Sequence, residues 1–221
     1  MRGGFAAIAV CLTFIYRVVA TLDIISLYTS GSATIVEASA TVILPSVPNP
    51  ITGDLALWSA IQLDKDFIQG VSENAPAGLG YCTNLGGNWC NFAYALTPNA
   101  QVGKSVVAAP GTRVRTHYKL NSSTTLWDQS VYVNDQLVSS VSTSQGQKGN
   151  IFYISVECAA RPCAAAPAHS WEDVSIILST PNPNWKHTGS WNFGATGGEM
   201  TTSDGGQTWT FTTLNIPTSS A

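Results

Sequence analysis

No stretch of this 221-residue chain repeats apolar side chains at the three-to-four-residue interval that a surface helix needs. Short runs of β-branched and aromatic residues alternate instead with clusters of Gly, Pro, Asn and Ser, the pattern of strands joined by turns. Strands are expected at Ala33–Leu44, Leu55–Leu63, Phe67–Val71, Val114–Leu120, Leu126–Val133, Ile151–Glu157, Val174–Leu178 and Thr208–Leu214. Asn134-Asp135 lies between two alternating runs and reads as a hairpin turn. Prolines 45, 48, 50, 181 and 183 mark loops, because a proline has no N–H to give a ladder. The expected fold is all-β, a two-sheet antiparallel β-sandwich, in one domain.

That domain is placed at residues 21–221, because residues 1–20 read as a secretory signal peptide. Arg2 precedes an almost uncharged apolar run from Gly3 to Tyr16, and Val18-Val19-Ala20 supplies small residues before a cut. The run is too short to span about 30 Å of hydrocarbon as a helix, so no membrane association is expected after its removal. Loss of Arg2 and Arg17 would bring the net charge from −3 to about −5. With charged residues only 10% of the chain, there is no basic footprint for nucleic acid. Export, an extracellular location and a monomer are the expectations.

Cys11 lies in the leader, which leaves Cys82, Cys90, Cys158 and Cys163. Four cysteines in an exported chain read as two disulfides with three possible connectivities. Pairing within the short loops 82–90 and 158–163 is the simplest, and a four-cysteine zinc site is the alternative. Asn121-Ser122-Ser123 is an N-glycosylation sequon. His117, His169 and His187 show no ligand spacing, so no metal and no cofactor is expected.

Along Arg113 to Leu120 the side chains separate cleanly by period two. Val114, Thr116, Tyr118 and Leu120 face one way; Arg113, Arg115, His117 and Lys119 face the other. The basic side is either a solvated outer face or a small anion-binding stripe. Seven tryptophans are many for this length. Most belong in a core, while a few on a concave face could stack on sugar rings or grip a peptide. Trp58 and Trp89 are the substrate-binding candidates.

Residues 36–45, Val36-Glu37-Ala38-Ser39-Ala40-Thr41-Val42-Ile43-Leu44-Pro45, lead through a Pro-rich turn to Leu57-Trp58-Ser59-Ala60-Ile61 and then Phe67-Ile68-Gln69-Gly70-Val71. Further on come Ala109-Pro110-Gly111-Thr112-Arg113-Val114 and Phe152-Tyr153-Ile154-Ser155-Val156-Glu157. In this order the segments resemble the fungal glutamic peptidases, the eqolisins, over about residues 34–180. The resemblance implies a concanavalin A-like sandwich of jelly-roll type and a secreted acid endopeptidase acting on polypeptides. It makes Gln69 the catalytic glutamine, Glu157 the catalytic glutamate and Trp58 a tryptophan of the substrate cleft.

The chemistry asks for those residue types. Peptide hydrolysis needs a base for water, a donor for the developing oxyanion and an acid for the leaving nitrogen. A glutamate serves as base and, once protonated, as acid; a glutamine supplies an uncharged N–H donor. A carboxyl titrating near 4.3 implies activity at acid pH. Ser59-Ala60-Ile61-Gln62-Leu63 departs from the family's glycine- and aspartate-bearing segment, and with the tryptophan count this motivates a second reading, a non-catalytic carbohydrate-binding or cell-surface module. A third, a glycan hydrolase or lyase, would need a second carboxylate, with Glu172, Asp173, Glu199 and Asp204 as candidates.

Overall fold

The computed structural model describes residues 20–83 and 85–221. The expected leader, Cys11 included, lies outside the described residues except for Ala20. The strands are β1 (Ala20–Tyr28), β2 (Ile35–Ile43), β3 (Asp54–Leu63), β4 (Phe67–Asn74), β5 (Trp89–Leu96), β6 (Gln101–Val102), β7 (Val106–Ala108), β8 (Arg113–Leu120) and β9 (Trp127–Val133). They continue with β10 (Gln136–Thr143), β11 (Gly149–Ala160), β12 (His169–Leu178), β13 (Gly189–Trp191), β14 (Thr196–Gly197), β15 (Met200–Thr201), β16 (Thr208–Phe211) and β17 (Leu214–Ile216). A 3-10 turn at Trp185–His187 is the one helical element among the described residues.

Every ladder is antiparallel, and the pairings separate into two layers. One sheet runs β13-β1-β11-β3-β4-β5, with β6 and β7 on the edge of β5. The other runs β10-β9-β8-β2-β12, with β16 and β17 beyond. A single pairing of Gly149 with Ile35 ties β11 to β2. The all-β sandwich read from the sequence is therefore the fold.

Between the layers lies one core. Leu55, Leu57, Ile61, Ile68, Trp89, Phe152, Ile154 and Val156 from the first sheet meet Val42, Val114, Tyr118, Trp127, Val131, Trp171 and Ile176 from the second. At one point the layers come closer than side chains normally allow. Gly70 of β4 has no Cβ because Thr116 of β8 occupies that space. There Tyr118 Oη accepts from the Gly70 N–H at 2.7 Å and donates to the Ser59 carbonyl at 2.6 Å. Gln129 of β9 adds donors to the carbonyls of Gln69 and Tyr94. These buried bonds fix the heights of β3, β4 and β5 against the second sheet, and so fix the outer face above them.

Several strands differ from expectation. β1 and β5 were not anticipated, β4 continues past Val71 to Asn74, and β12 begins at His169. A register shift between Asp23 and Ile25 breaks the alternation of β1, and another between Glu172 and Ser175 breaks that of β12. The run expected as Thr208–Leu214 is two strands, β16 and β17. The hairpin turn at Asn134-Asp135 is present, both residues having positive φ (48° and 65°), which suits the right-handed twist of β9 and β10.

Candidate active site

The first sheet is buried on both faces. Its outer face carries a second apolar cluster of Ala56, Trp58, Ala60, Val71, Leu85, Cys90 and Phe92, with Phe67, Tyr94 and Tyr153 packed on it. Residues in register across a sheet point to the same side. Glu157, Ala56, Glu73 and Cys90 form one such row over β11, β3, β4 and β5. Ser155, Trp58, Val71 and Phe92 form the next, and Tyr153, Ala60, Gln69 and Tyr94 the one after.

Two adjoining hollows open on this face, of about 330 and 500 Å³, and Trp58, Gln69, Tyr94 and Glu157 line both. The smaller adds Asp54, Glu73, Gly80 and Tyr81; the larger adds Thr21, Asp23, Phe67 and Tyr153. Aromatic triangles wall the two sides. Trp58, Phe67 and Tyr153 meet edge-on with ring centres 5.5–6.4 Å apart. Tyr81, Phe92 and Tyr94 meet at 4.7–6.5 Å. Burial holds the hydroxyls of Tyr81 and Tyr153 protonated, each pushed up to about 12.

Of the residues singled out in the sequence, Gln69, Glu157 and Trp58 come together in this cleft. The Trp58 indole Nε1 donates to Glu157 Oε2 at 2.7 Å. Burial raises the Glu157 carboxyl above its ordinary value; the indole bond opposes that, and the charges of Asp54 and Asp23 add to it. The Gln69 carboxamide is 7% exposed and makes no side-chain hydrogen bond among the described residues. It stands four residues along the sheet from the Glu157 row, so the cleft and not a direct contact joins them.

Trp89 is a correction. It is fully buried in the inter-sheet core, its Nε1 donating to the Pro45 carbonyl at 2.9 Å, because neighbouring residues of a strand face opposite ways and Cys90 takes the cleft side. Trp127, Trp171, Trp185 and Trp209 are core residues too, which absorbs most of the tryptophan count behind the glycan reading.

The cysteines form Cys82–Cys90 and Cys158–Cys163, so the zinc alternative falls. Among the described residues no group of three or more His, Cys, Asp or Glu is placed to hold a metal ion. Asn121 sits in the turn after β8, its Nδ2 donating to Asp128 Oδ2 at 3.0 Å. The extra carboxylates proposed for a glycan hydrolase are not in the cleft. Glu172 and Asp173 pair with Arg113 on the other sheet, Asp204 binds the N–H groups of its own loop, and Glu199 lines a separate groove.

The carboxyls that do share the cleft are Asp23, Asp54 and Glu73, which sequence reasoning missed. Glu73 had a signal. Period two carries the face of Gln69 on through Val71 to Glu73, once the strand is allowed to run past Val71.

An antiparallel sandwich with an acid-bearing, aromatic-walled cleft on one outer face is thus the class of the molecule. No family model matches the sequence, and no curated protein does. The fold matches solved glutamic peptidases. A scytalido-glutamic peptidase with a peptide based transition state analog aligns at a TM-score of 0.57 and 12% identity, over 87% of this chain and 99% of that one. The same kind of enzyme with a transition state analog inhibitor gives 0.55 and 12%, over 85% and 95%. SCP-B, a member of the eqolisin family of peptidases in complex with the tripeptide Ala-Ile-His, gives 0.52 and 11%, over 87% and 99%. At such identities the likeness is one of fold.

Proposed function

We propose that this protein is a secreted acid endopeptidase that hydrolyses peptide bonds in the cleft of the first sheet. The observation that carries the reading is the Glu157 carboxyl, held by the Trp58 indole at 2.7 Å and raised by burial, in the same cleft as an unengaged carboxamide, that of Gln69. An extended polypeptide lies across the strands between the two aromatic triangles. Glu157, ionised, takes a proton from the attacking water, and Gln69 Nε2 donates to the carbonyl oxygen as it becomes negative. Once protonated, Glu157 can return that proton to the leaving nitrogen. Because the base must be ionised, the raised carboxyl sets the acid limb of hydrolysis, below which the rate falls with pH.

Support for export comes from the two disulfides, which persist in oxidising compartments. No helix among the described residues is long and apolar enough to cross a membrane.

The test is cleavage of a denatured protein between pH 3 and 6. Glu157→Gln should lower the rate by at least about a hundredfold, the scale of a lost general base, and Gln69→Ala by a similar factor. Cleavage that survives both substitutions ends the proposal. Binding to glycans without hydrolysis, abolished by Trp58→Ala, would install the carbohydrate-binding reading in its place.

A further inference from the structure

Glu73 lies in the same cross-strand row as Glu157, on the far side of Ala56. Two strand spacings put their Cα atoms about 10 Å apart. Between them stands only the methyl group of Ala56, and both carboxyls line the smaller hollow. A substrate bond lying over Ala56 would have one carboxyl on each side.

The position of Glu73 is also heavily determined. Its Oε1 accepts the backbone N–H of Tyr81. Gly80, at φ +74°, has no room for a Cβ because that oxygen occupies the space. Cys82, one residue past Tyr81, is bridged to Cys90, the cross-strand partner of Glu73 itself. The turn, the disulfide and the N–H all converge on one carboxyl, which is 2% exposed and still faces the cleft.

We infer that Glu73 is a third catalytic group, the acid that protonates the leaving nitrogen, so that Glu157 acts as base alone. The inference rests on the peptidase reading above and deepens it. Water forms a bond to the carbonyl carbon and gives its proton to the Glu157 carboxylate, while the carbonyl electron pair moves to the carbonyl oxygen. The electron pair then returns, the C–N bond breaks, and the nitrogen takes the proton of Glu73. Glu157 is left protonated and Glu73 ionised, and exchange with solvent resets both. Burial above all, with the nearby charge of Asp54 and against the N–H groups of Tyr81 and Cys82, holds the Glu73 proton up to about pH 7. The acid is therefore loaded throughout the range in which an acid peptidase works.

A peptide amide and a p-nitrophenyl ester with the same acyl part separate this role from a structural one. The amide nitrogen must be protonated to leave; the nitrophenolate departs without a proton. In Glu73→Gln the amide oxygen still accepts from Tyr81, so the midpoint of unfolding at pH 4 should be unchanged. Amide hydrolysis should fall about a hundredfold or more while ester hydrolysis stays within about threefold. Equal losses on both substrates, or no loss on either, overturn the inference. In the wild-type protein alone, amide hydrolysis should decline towards pH 7 along a limb that ester hydrolysis lacks, and a limb shared by both also overturns it. Wild-type protein inert on both substrates removes the peptidase reading itself; wild-type activity matched by Glu73→Gln removes only the role of Glu73.

Discussion

The outer faces of the two sheets have solved opposite problems with the same backbone. On the second sheet, β8 alternates strictly, and its outward residues find partners at the surface. Arg113 bonds Glu172 and Asp173 at 2.5 and 2.6 Å, His117 and Lys119 share Glu37, and Arg115 lies 4.0 Å over the Tyr132 ring. Most of the basic stripe visible in the sequence is thereby paired with carboxylates at the surface. On the first sheet, β3 is buried along almost its whole length on both sides. Two of its outward acids, Glu73 and Glu157, sit among aromatic rings, where burial raises their carboxyls. One face leaves its charges at the surface, and the other withdraws two carboxyls from water.

If the outer face of the first sheet is a second core, it should respond to cavities as cores do. Phe92 is 1% exposed there, with the Tyr81 ring centre 4.7 Å away. Phe92→Ala should cost about 3–5 kcal/mol in chemical denaturation, the range for a buried aromatic. A cost below about 1 kcal/mol would show this face to be an ordinary surface.

The next effect is one of pH. Glu73 binds its proton more tightly folded, at about 7, than its ordinary value of 4.5. Between those values the folded chain holds more protons than the unfolded one, so stability must fall as pH rises through the window. The loss is about 3 kcal/mol, complete by about pH 7. Glu157, also raised, adds to it in the same direction. Unfolding followed from pH 4 to 8 should show this slope, and Glu73→Gln should flatten it. A stability that rises with pH over the same interval would place Glu73 in water.

The contrast between the sheets also explains what could be read in advance. Period-two alternation is legible where one face is solvated, which is why β8 and the Asn134-Asp135 hairpin are evident. It fails where both faces are apolar, since Leu55–Leu63 shows a run of buried residues but not which of them look into the cleft. Trp58 and Trp89 looked equivalent as tryptophans; only the register of β5, with Cys90 opposite Glu73, sends Trp89 inward. Bulges hid β1, whose Asp23 reaches the cleft, and the terminus of β4 hid Glu73. Gln69 and Glu157 were found through a resemblance in segment order, because a lone Gln and a lone Glu on strands carry no local signal.

A smaller effect probes the bond that ties the cleft's tryptophan to its acid. Trp58→Phe keeps a ring against Phe67 and Tyr153 but removes the N–H from Glu157 Oε2. That N–H lowers the Glu157 carboxyl, so its loss should raise the carboxyl further and move the acid limb of hydrolysis to higher pH. At pH 4 the rate should fall about tenfold, the worth of one charge-assisted bond. Carboxyl titration followed by NMR should move the same way. An unchanged titration would mean that the indole serves packing alone.

The smallest effects belong to the second sheet. Side chains of Arg113 and Lys119 are 46% and 57% exposed, so their ion pairs gain little against water and lose more as salt is added. Arg113→Ala and Lys119→Ala should each change stability by less than about 1 kcal/mol. Both variants should cleave peptides at the wild-type rate, because no residue of β8's outer face reaches the cleft on the opposite side of the molecule. A large loss of hydrolysis in either would mean that the two outer faces are coupled through Thr116 and Tyr118 beneath Gly70, where β8 touches the strand that carries Gln69.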